Sequence, residues 1–320
     1  MQVTVLMPVY NAERYLYDSI SSILRQTSNN WKLICVDDGS TDNSLQILRN
    51  YEKANNKIKV LTQENAGPAV ARARAIEIVD TEYVSILDAD DAYTPDYVER
   101  MLKRAEETDA DCVVPDVEFG YGGTKKIPNI FVNKKLNGDM VIHDGVKAFA
   151  MTIPWRLHGW QMIRTTLAKQ YYTIDAVSYS KFNSDEYITR LLYLKSKVTA
   201  LCDACYLYRI GEGSITRTPS LKMLDGLQTL KKLILLIQKE RLPTIILLNV
   251  YNEYYASLRY YILMSDKLPE TDKTKAHCII NEEYHKTYRK YINYDLMRIA
   301  PFKSKLKFLL SLISLKFICC

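Results

Sequence analysis

The sequence predicts an α/β fold: a mostly parallel sheet with flanking helices, followed by a C-terminal helical region. Three observations carry that prediction. Short apolar runs alternate with stretches whose apolar residues recur at helical spacing through the first ninety residues. The connections between them are short, which makes successive βαβ units with parallel strands. From Leu221 onward only helical spacing remains.

Residues 3–9 form a β-branched, mostly apolar run. Leu16, Ile20, Ile23 and Leu24 then mark a helix over 13–26. A second strand at 32–36 precedes a helix through Leu45, Ile47, Leu48 and Tyr51. A third strand at 58–61 precedes a helix over 69–79, and a fourth strand spans 83–87. Near-continuous apolar strands fit a sheet covered on both faces. Thr94-Pro95 predicts an N-cap followed by a proline at the first helical position. Residues 111–114 read as a further strand, and 119–145, rich in Gly, Lys and Asn, as loops or a hairpin. A helix opens at Ser184. The predicted domains are 1–217 and 218–320. In the second, helices are broken at Pro243 and Pro269, and the third covers about 272–298.

The chain has 320 residues and a net charge of +6. The charge is unevenly spread: residues 221–320 hold 17 Lys/Arg against 9 Asp/Glu, while residues 1–220 hold 26 against 28. A basic C-terminal third points to nucleic acid or an anionic membrane. Nucleic acid is disfavoured, because no recognisable binding module interleaves lysines with exposed aromatics. The seven cysteines lack a disulfide-framework spacing, so reduced thiols and a cytoplasmic setting are expected. Cys202 and Cys205 have metal-like spacing but no second ligand pair, and are expected to be strand cysteines. The N-terminus has no basic start or long apolar core, so no signal peptide is expected. No apolar run reaches the ~20 residues of a membrane span.

Polar motifs follow all four of the first strands: Tyr10-Asn11, Asp37-Asp38, Asn65 with Gly67, and Asp88-Ala89-Asp90-Asp91. Each alone has an ordinary explanation as a turn or a helix start. Four at successive strand ends put them in one crevice, where open α/β sheets bind ligands. An apolar strand ending in three carboxylates within four positions crowds like charges beside apolar surface. A hard divalent cation, Mn2+ or Mg2+, relieves that strain. Neither GxGxxG nor GxxxxGK[ST] occurs, which argues against a Rossmann dinucleotide site and a P-loop.

Pro8-Val9-Tyr10-Asn11, Asp37-Asp38-Gly39-Ser40-Thr41-Asp42, Asn65-Ala66-Gly67 and Asp88-Ala89-Asp90-Asp91 together resemble the family 2 glycosyltransferases, over about residues 1–215. The resemblance implies a GT-A fold, a nucleotide-sugar donor and inversion at the anomeric carbon. It implies that Tyr10 stacks on uracil and that Asp38 hydrogen-bonds the uracil edge. Arg72 matches a base or phosphate contact. Asp88 and Asp90 resemble the DxD element, with Asp90 nearest the metal and Asp88 toward the ribose and the metal shell. Family members carry a Glu-Asp pair near the helix at 184, whose Asp is the general base. Here Ser184 stands in place of the Glu and Asp185 as the Asp, with Glu186 the alternative base. First-turn acids also suit the helix dipole. Arg209 resembles a residue facing the diphosphate.

Trp155, His158 and Trp160 either line an acceptor pocket, where indole faces stack on sugars, or pack in the core. Residues 302–318 read as a basic amphipathic helix. It either lies on an anionic membrane surface, at the inner face of the cytoplasmic membrane, or docks on protein. The expected activity is sugar transfer from a nucleotide-sugar, UDP-linked as the resemblance implies, to a saccharide acceptor. A lipid-linked acceptor in surface or capsular polysaccharide synthesis fits the tail. Two rivals stand beside it. A nucleotidyltransferase would need a basic Gly-rich loop after the first strand, and Tyr10-Asn11-Ala12-Glu13 is not one. A non-catalytic carbohydrate- or nucleotide-binding scaffold is favoured only by Ser184.

Overall fold

The structure is a computed structural model that describes residues 1–122, 127–210 and 219–291, with side chains to residue 286. The chain divides into two compact units, Met1–Glu212 and Gly213–Cys320.

In the first unit, β1 (Val3–Val9), α1 (Leu16–Leu24), β2 (Trp31–Asp37), α2 (Ser44–Ala54), β3 (Ile58–Thr62), α3 (Pro68–Glu77) and β4 (Tyr83–Ile86) alternate as the spacing predicts. β5 (Ala92–Tyr93), α4 (Tyr97–Thr108), β6 (Cys112–Tyr121), α5 (Ile130–Lys134), β7 (Val141–Ile142) and α6 (Gly145–Met151) follow. The unit closes with β8 (Met162–Arg164), α7 (Thr165–Tyr171), α8 (Ile174–Val177), α9 (Ser184–Lys195) and β9 (Thr199–Arg209). The sheet order is β3-β2-β1-β4-β8-β6-β9-β5, with β7 also on β9. β1 through β4 pair in parallel, whereas β8 runs antiparallel to both β4 and β6.

All seven residues of β1 are buried, as are all four of β4. Strands walled in on both faces tolerate only apolar or fully bonded side chains. Thr4 obeys this through a 2.7 Å hydroxyl pair with Thr81. α3 packs on β1 and β2, while α2 packs on β2 and β3. The chain winds outward from β1 to β3, then returns to β4 on the opposite side of β1. The β1/β4 boundary is therefore the switch point of the sheet, where the strand ends part and leave a crevice.

One expectation is corrected, one strand is extended and one is added. α4 begins at Tyr97 with Asp96 as N-cap, so Thr94 and Pro95 lie before the helix and not in its cap. The Thr94 carbonyl is already taken by Gln26 Nε2, which fixes it in a turn. The strand expected at 111–114 runs on to Tyr121, because β9 supplies a parallel partner along that length. β5 is a short strand that the sequence did not suggest, paired to β9 immediately after the acid cluster.

The second unit contains a 3-10 turn, Leu221–Asp225, then α10 (Gly226–Lys239), α11 (Thr244–Ser265) and α12 (Glu270–Tyr291). Leu227, Leu230, Leu233, Ile234 and Ile237 face its interior, matching their helical spacing. The amphipathic segment expected at 302–318 lies outside the described residues. Among the described residues, no helix is long and apolar enough to cross a membrane.

Candidate active site

The crevice is built from strand-end loops that bond to one another. Asn11 takes a left-handed φ of 50°, which asparagine tolerates better than most residues. Its Oδ1 accepts from Thr41 N at 2.8 Å, and its own N–H donates to Ser40 Oγ at 3.1 Å. Ala12 N donates to Ser44 Oγ, Glu13 N donates to Asp42 Oδ2, and Glu13 Oε2 accepts from Asn43 N. The loop after β1 is thus stitched to the loop after β2. Beside this seam Tyr10 is 49% exposed, an uncovered ring at the mouth of the crevice.

Asp38 is buried, and its carboxylate is the hub of the next two loops. Oδ1 accepts from Gln63 Nε2 at 2.7 Å and Ala66 N at 2.8 Å, and Oδ2 accepts from Gly67 N at 2.8 Å. A carboxylate oxygen accepts two hydrogen bonds, so Oδ2 retains one lone pair. Gly67 sits at φ 93°, and a Cβ there would lie 3.0 Å from the Lys181 carbonyl oxygen. Gly67 therefore supplies both a backbone shape and a gap. Lys181 Nζ closes the other side by donating to the Asn65 carbonyl at 2.7 Å.

The acids after β4 are held from several directions. Asp88 Oδ1 accepts from Arg72 Nη2 at 2.5 Å, and its Oδ2 accepts from Trp160 Nε1 at 3.3 Å. The Asp88 N–H donates to Tyr206 Oη at 3.1 Å, and the Tyr206 hydroxyl donates to Asp91 Oδ2 at 2.6 Å. Asp91 Oδ1 accepts from Arg209 N at 2.7 Å. Ala89 is buried between the two acids of the motif. Asp90 opens to solvent on one side. Its carboxyl is raised above the usual range, first by the protein that desolvates its other side and then by the Asp88 charge. Asp91 is pushed up to about 8, by burial first and by Asp88 and Asp90 next. Surplus negative charge is crowded into one turn.

Asp185, in the first turn of α9, meets the same cluster. Its Oδ2 accepts from Arg72 Nη1 at 3.0 Å, and Oδ1 has no protein donor among the described residues. Glu186 turns toward Arg190, 3.9 Å away and completely buried, whose guanidinium stacks on Trp155. Asp185 is thus joined through Arg72 to Asp88. Ser184 is buried, with its hydroxyl donating to the Ser180 carbonyl at 2.8 Å.

The aromatic segment divides. Trp160 is half-buried beside Asp88 and packs on Tyr206 and Tyr208. Trp155 is half-buried over Arg190. His158 lies beneath Trp160 and belongs to the core, not to a pocket wall. Its Nε2–H donates to the Pro115 carbonyl at 2.8 Å, while Nδ1 accepts from Trp160 N at 3.3 Å. Burial lowers its pKa to about 4. Arg209 reaches back over the acid turn: Nε donates to the Asp90 carbonyl at 2.8 Å and Nη2 to Asp18 at 3.1 Å. The rings of Tyr15 and Tyr121 face its guanidinium.

Sequence reasoning passed over Asp91, Tyr206 and Gln63. Asp91 stood in the acid run and could have been singled out. Tyr206 and Gln63 act through contacts with residues far away in the chain, which no local spacing reveals.

Among the described residues, no group of three or more His, Cys, Asp or Glu side chains forms a metal cage. The arrangement still fits a hard cation completed by a ligand. Asp90 presents an open carboxylate in a turn overloaded with negative charge. Mg2+ and Mn2+ sites commonly take one or two protein carboxylates and fill the rest with phosphate oxygens and water.

The family model for glycosyl transferase family 2 matches residues 4–209. Two Streptococcus pneumoniae proteins are each 30% identical to the chain. Glycosyltransferase GlyG matches over 68% of this chain and 73% of its own length. Glycosyltransferase GlyA matches over 71% of this chain, which spans only 33% of that longer protein. Among solved structures, Staphylococcus aureus TarS residues 1–349 in complex with UDP is similar, with a TM-score of 0.54. It is 16% identical, and the match covers 97% of this chain and 79% of that one.

Proposed function

Because the chain belongs to glycosyl transferase family 2, we propose that it moves a sugar from a UDP-sugar to an acceptor hydroxyl, with inversion and a divalent cation. The observation that carries this reading is the joining of Asp88 and Asp185 by Arg72 at the switch point, with the exposed Asp90 in the same turn as Asp88. UDP as the carrier is supported by the exposed Tyr10 ring and the spare lone pair of Asp38, and by the UDP bound in the TarS structure.

In this reading Tyr10 and Asp38 bind and orient the base. Asp90, with Asp88 nearby, holds the Mn2+ or Mg2+. Bound there, the cation supplies Lewis-acid neutralisation of the charge that builds on the diphosphate. Asp185 Oδ1 accepts the proton of the acceptor hydroxyl as its oxygen attacks C1 opposite the leaving diphosphate. A base so positioned contributes roughly 10²–10⁴-fold. One base and no protein nucleophile make a single displacement, hence inversion. Half-buried Trp160 and Trp155 flank the acceptor side. The acceptor is a saccharide, lipid-linked in surface polysaccharide synthesis, which the basic segment 302–318 brings to the inner membrane face.

UDP release from a panel of UDP-sugars with Mn2+ or Mg2+ tests the proposal. Slow hydrolysis of one donor by the wild type is expected, abolished by Asp90→Ala and reduced at least 100-fold by Asp185→Asn. Metal-dependent UDP binding without turnover, indifferent to Asp185→Asn, would instead support the scaffold reading that Ser184 favours.

A further inference from the structure

Arg72 is the side chain that the resemblance assigns to a nucleotide contact, and its surroundings point elsewhere. Its side chain is only 8% exposed. Both terminal nitrogens are engaged, Nη2 on Asp88 and Nη1 on Asp185, each through one of its two N–H groups. Its Nε is buried and has no hydrogen-bond partner among the described residues. Burial by itself would make this guanidinium easier to deprotonate. Asp88 first, then Tyr172 and Asp185, hold its pKa well above the ordinary value. A permanent positive charge therefore stands between two carboxylates that are 97 positions apart in the chain.

We propose that Arg72 is a positioning residue for the base Asp185, acting through Asp185 and not through the nucleotide. This rests on the transferase reading. The guanidinium is planar and rigid, so its two nitrogens relate the two carboxylates directly. Asp88 fixes one arm, in a turn further pinned by Trp160 and Tyr206. The other arm occupies Asp185 Oδ2 and leaves Oδ1, on a side chain 34% exposed, to take the acceptor proton. The rest of α3 is anchored for the task. The N–H of Gly67, just before its first residue, is gripped by Asp38. The base is thereby set in register with the acid cluster by one side chain from a third element.

A double-mutant cycle tests this with the UDP-sugar that the wild type turns over in the panel. Arg72→Gln is expected to lower kcat roughly 10–100-fold, within the range a positioned base supplies. Its KM for donor, and its affinity for UDP with Mn2+ by calorimetry, stay within about threefold of the wild type. Combined with Asp185→Asn, it adds nothing: the double variant is as slow as the slower single variant, because both remove one function. Arg72→Lys keeps the buried charge if the glutamine variant fails to fold. It is also expected to lose kcat, since one ammonium cannot span two acids. A tenfold or greater loss of UDP affinity in Arg72→Gln or Arg72→Lys overturns the proposal, as do losses that multiply in the double variant or full activity in Arg72→Lys. A wild type inert toward every donor sinks the transferase reading as well, which separates the two failures.

Discussion

His158 shows how burial decides the chemistry open to a side chain. Its ring donates from Nε2 and accepts at Nδ1, which defines a neutral tautomer. The folded pKa of about 4 lies below the ordinary 6.5. Between those values the unfolded chain binds a proton that the folded protein refuses, so this group's contribution is complete above pH 6.5 and is lost as pH falls toward 4. At pH 5 the loss comes to about 2 kcal/mol at 1.36 kcal/mol per unit. Asp91, raised to about 8, works in the opposite direction, gaining stability as pH falls. The informative quantity is therefore a difference. Urea unfolding at pH 7.5 and 5 is expected to show the wild type losing about 2 kcal/mol more than His158→Gln. Equal changes in the two proteins would mean that His158 titrates freely. Ser184 illustrates the same principle. It is buried with its hydroxyl bonded to the Ser180 carbonyl, an enclosure that suits a neutral hydroxyl and would penalise a carboxylate.

At the scale of elements, the site depends on where helices begin. α3 starts at Pro68, directly after a glycine whose φ of 93° and ψ of 159° suit no other residue. That start turns the N–H groups of Ala66 and Gly67 onto Asp38 and aims Arg72, in the second turn, at Asp88 and Asp185. Gly67→Ala meets both an unfavourable backbone region and the Lys181 carbonyl at 3.0 Å. It is expected to cost about 1–3 kcal/mol in denaturant unfolding, with weaker UDP binding because Asp38 loses its anchor. A variant as stable as the wild type would show that the loop shifts at no cost. The local turn chemistry was legible, since Asn65-Ala66-Gly67-Pro68 announces a loop and a helix start. The approach of residue 181 was not, because it comes from a segment more than a hundred positions away.

At the scale of the whole chain, charge is segregated. The first 220 residues are slightly acidic and hold the acid turn, whereas the last hundred are basic. Segment 302–318 combines lysines with Leu, Ile and Phe, the composition of a helix that lies in an anionic interface. Vesicles with and without anionic lipid are expected to sediment the full chain only when anionic lipid is present, and deletion of 302–320 is expected to abolish this. Undiminished sedimentation of the deleted protein would assign the membrane contact to another surface. Periodicity and strand-end motifs were sufficient to read the parallel βαβ core, the helical C-terminal region and the line of Tyr10, Asp38, Gly67, Asp88 and Asp90 along one edge. These features are local: each is set by the alternation of apolar residues or by the few residues that end a strand. Tertiary structure alone decided what joins them. The insertion of antiparallel β8 between β4 and β6 and the burial of His158 both depend on contacts between distant segments. So does the spanning of two acids by Arg72, for a guanidinium's partners are set by where the chain folds, not by its neighbours in sequence.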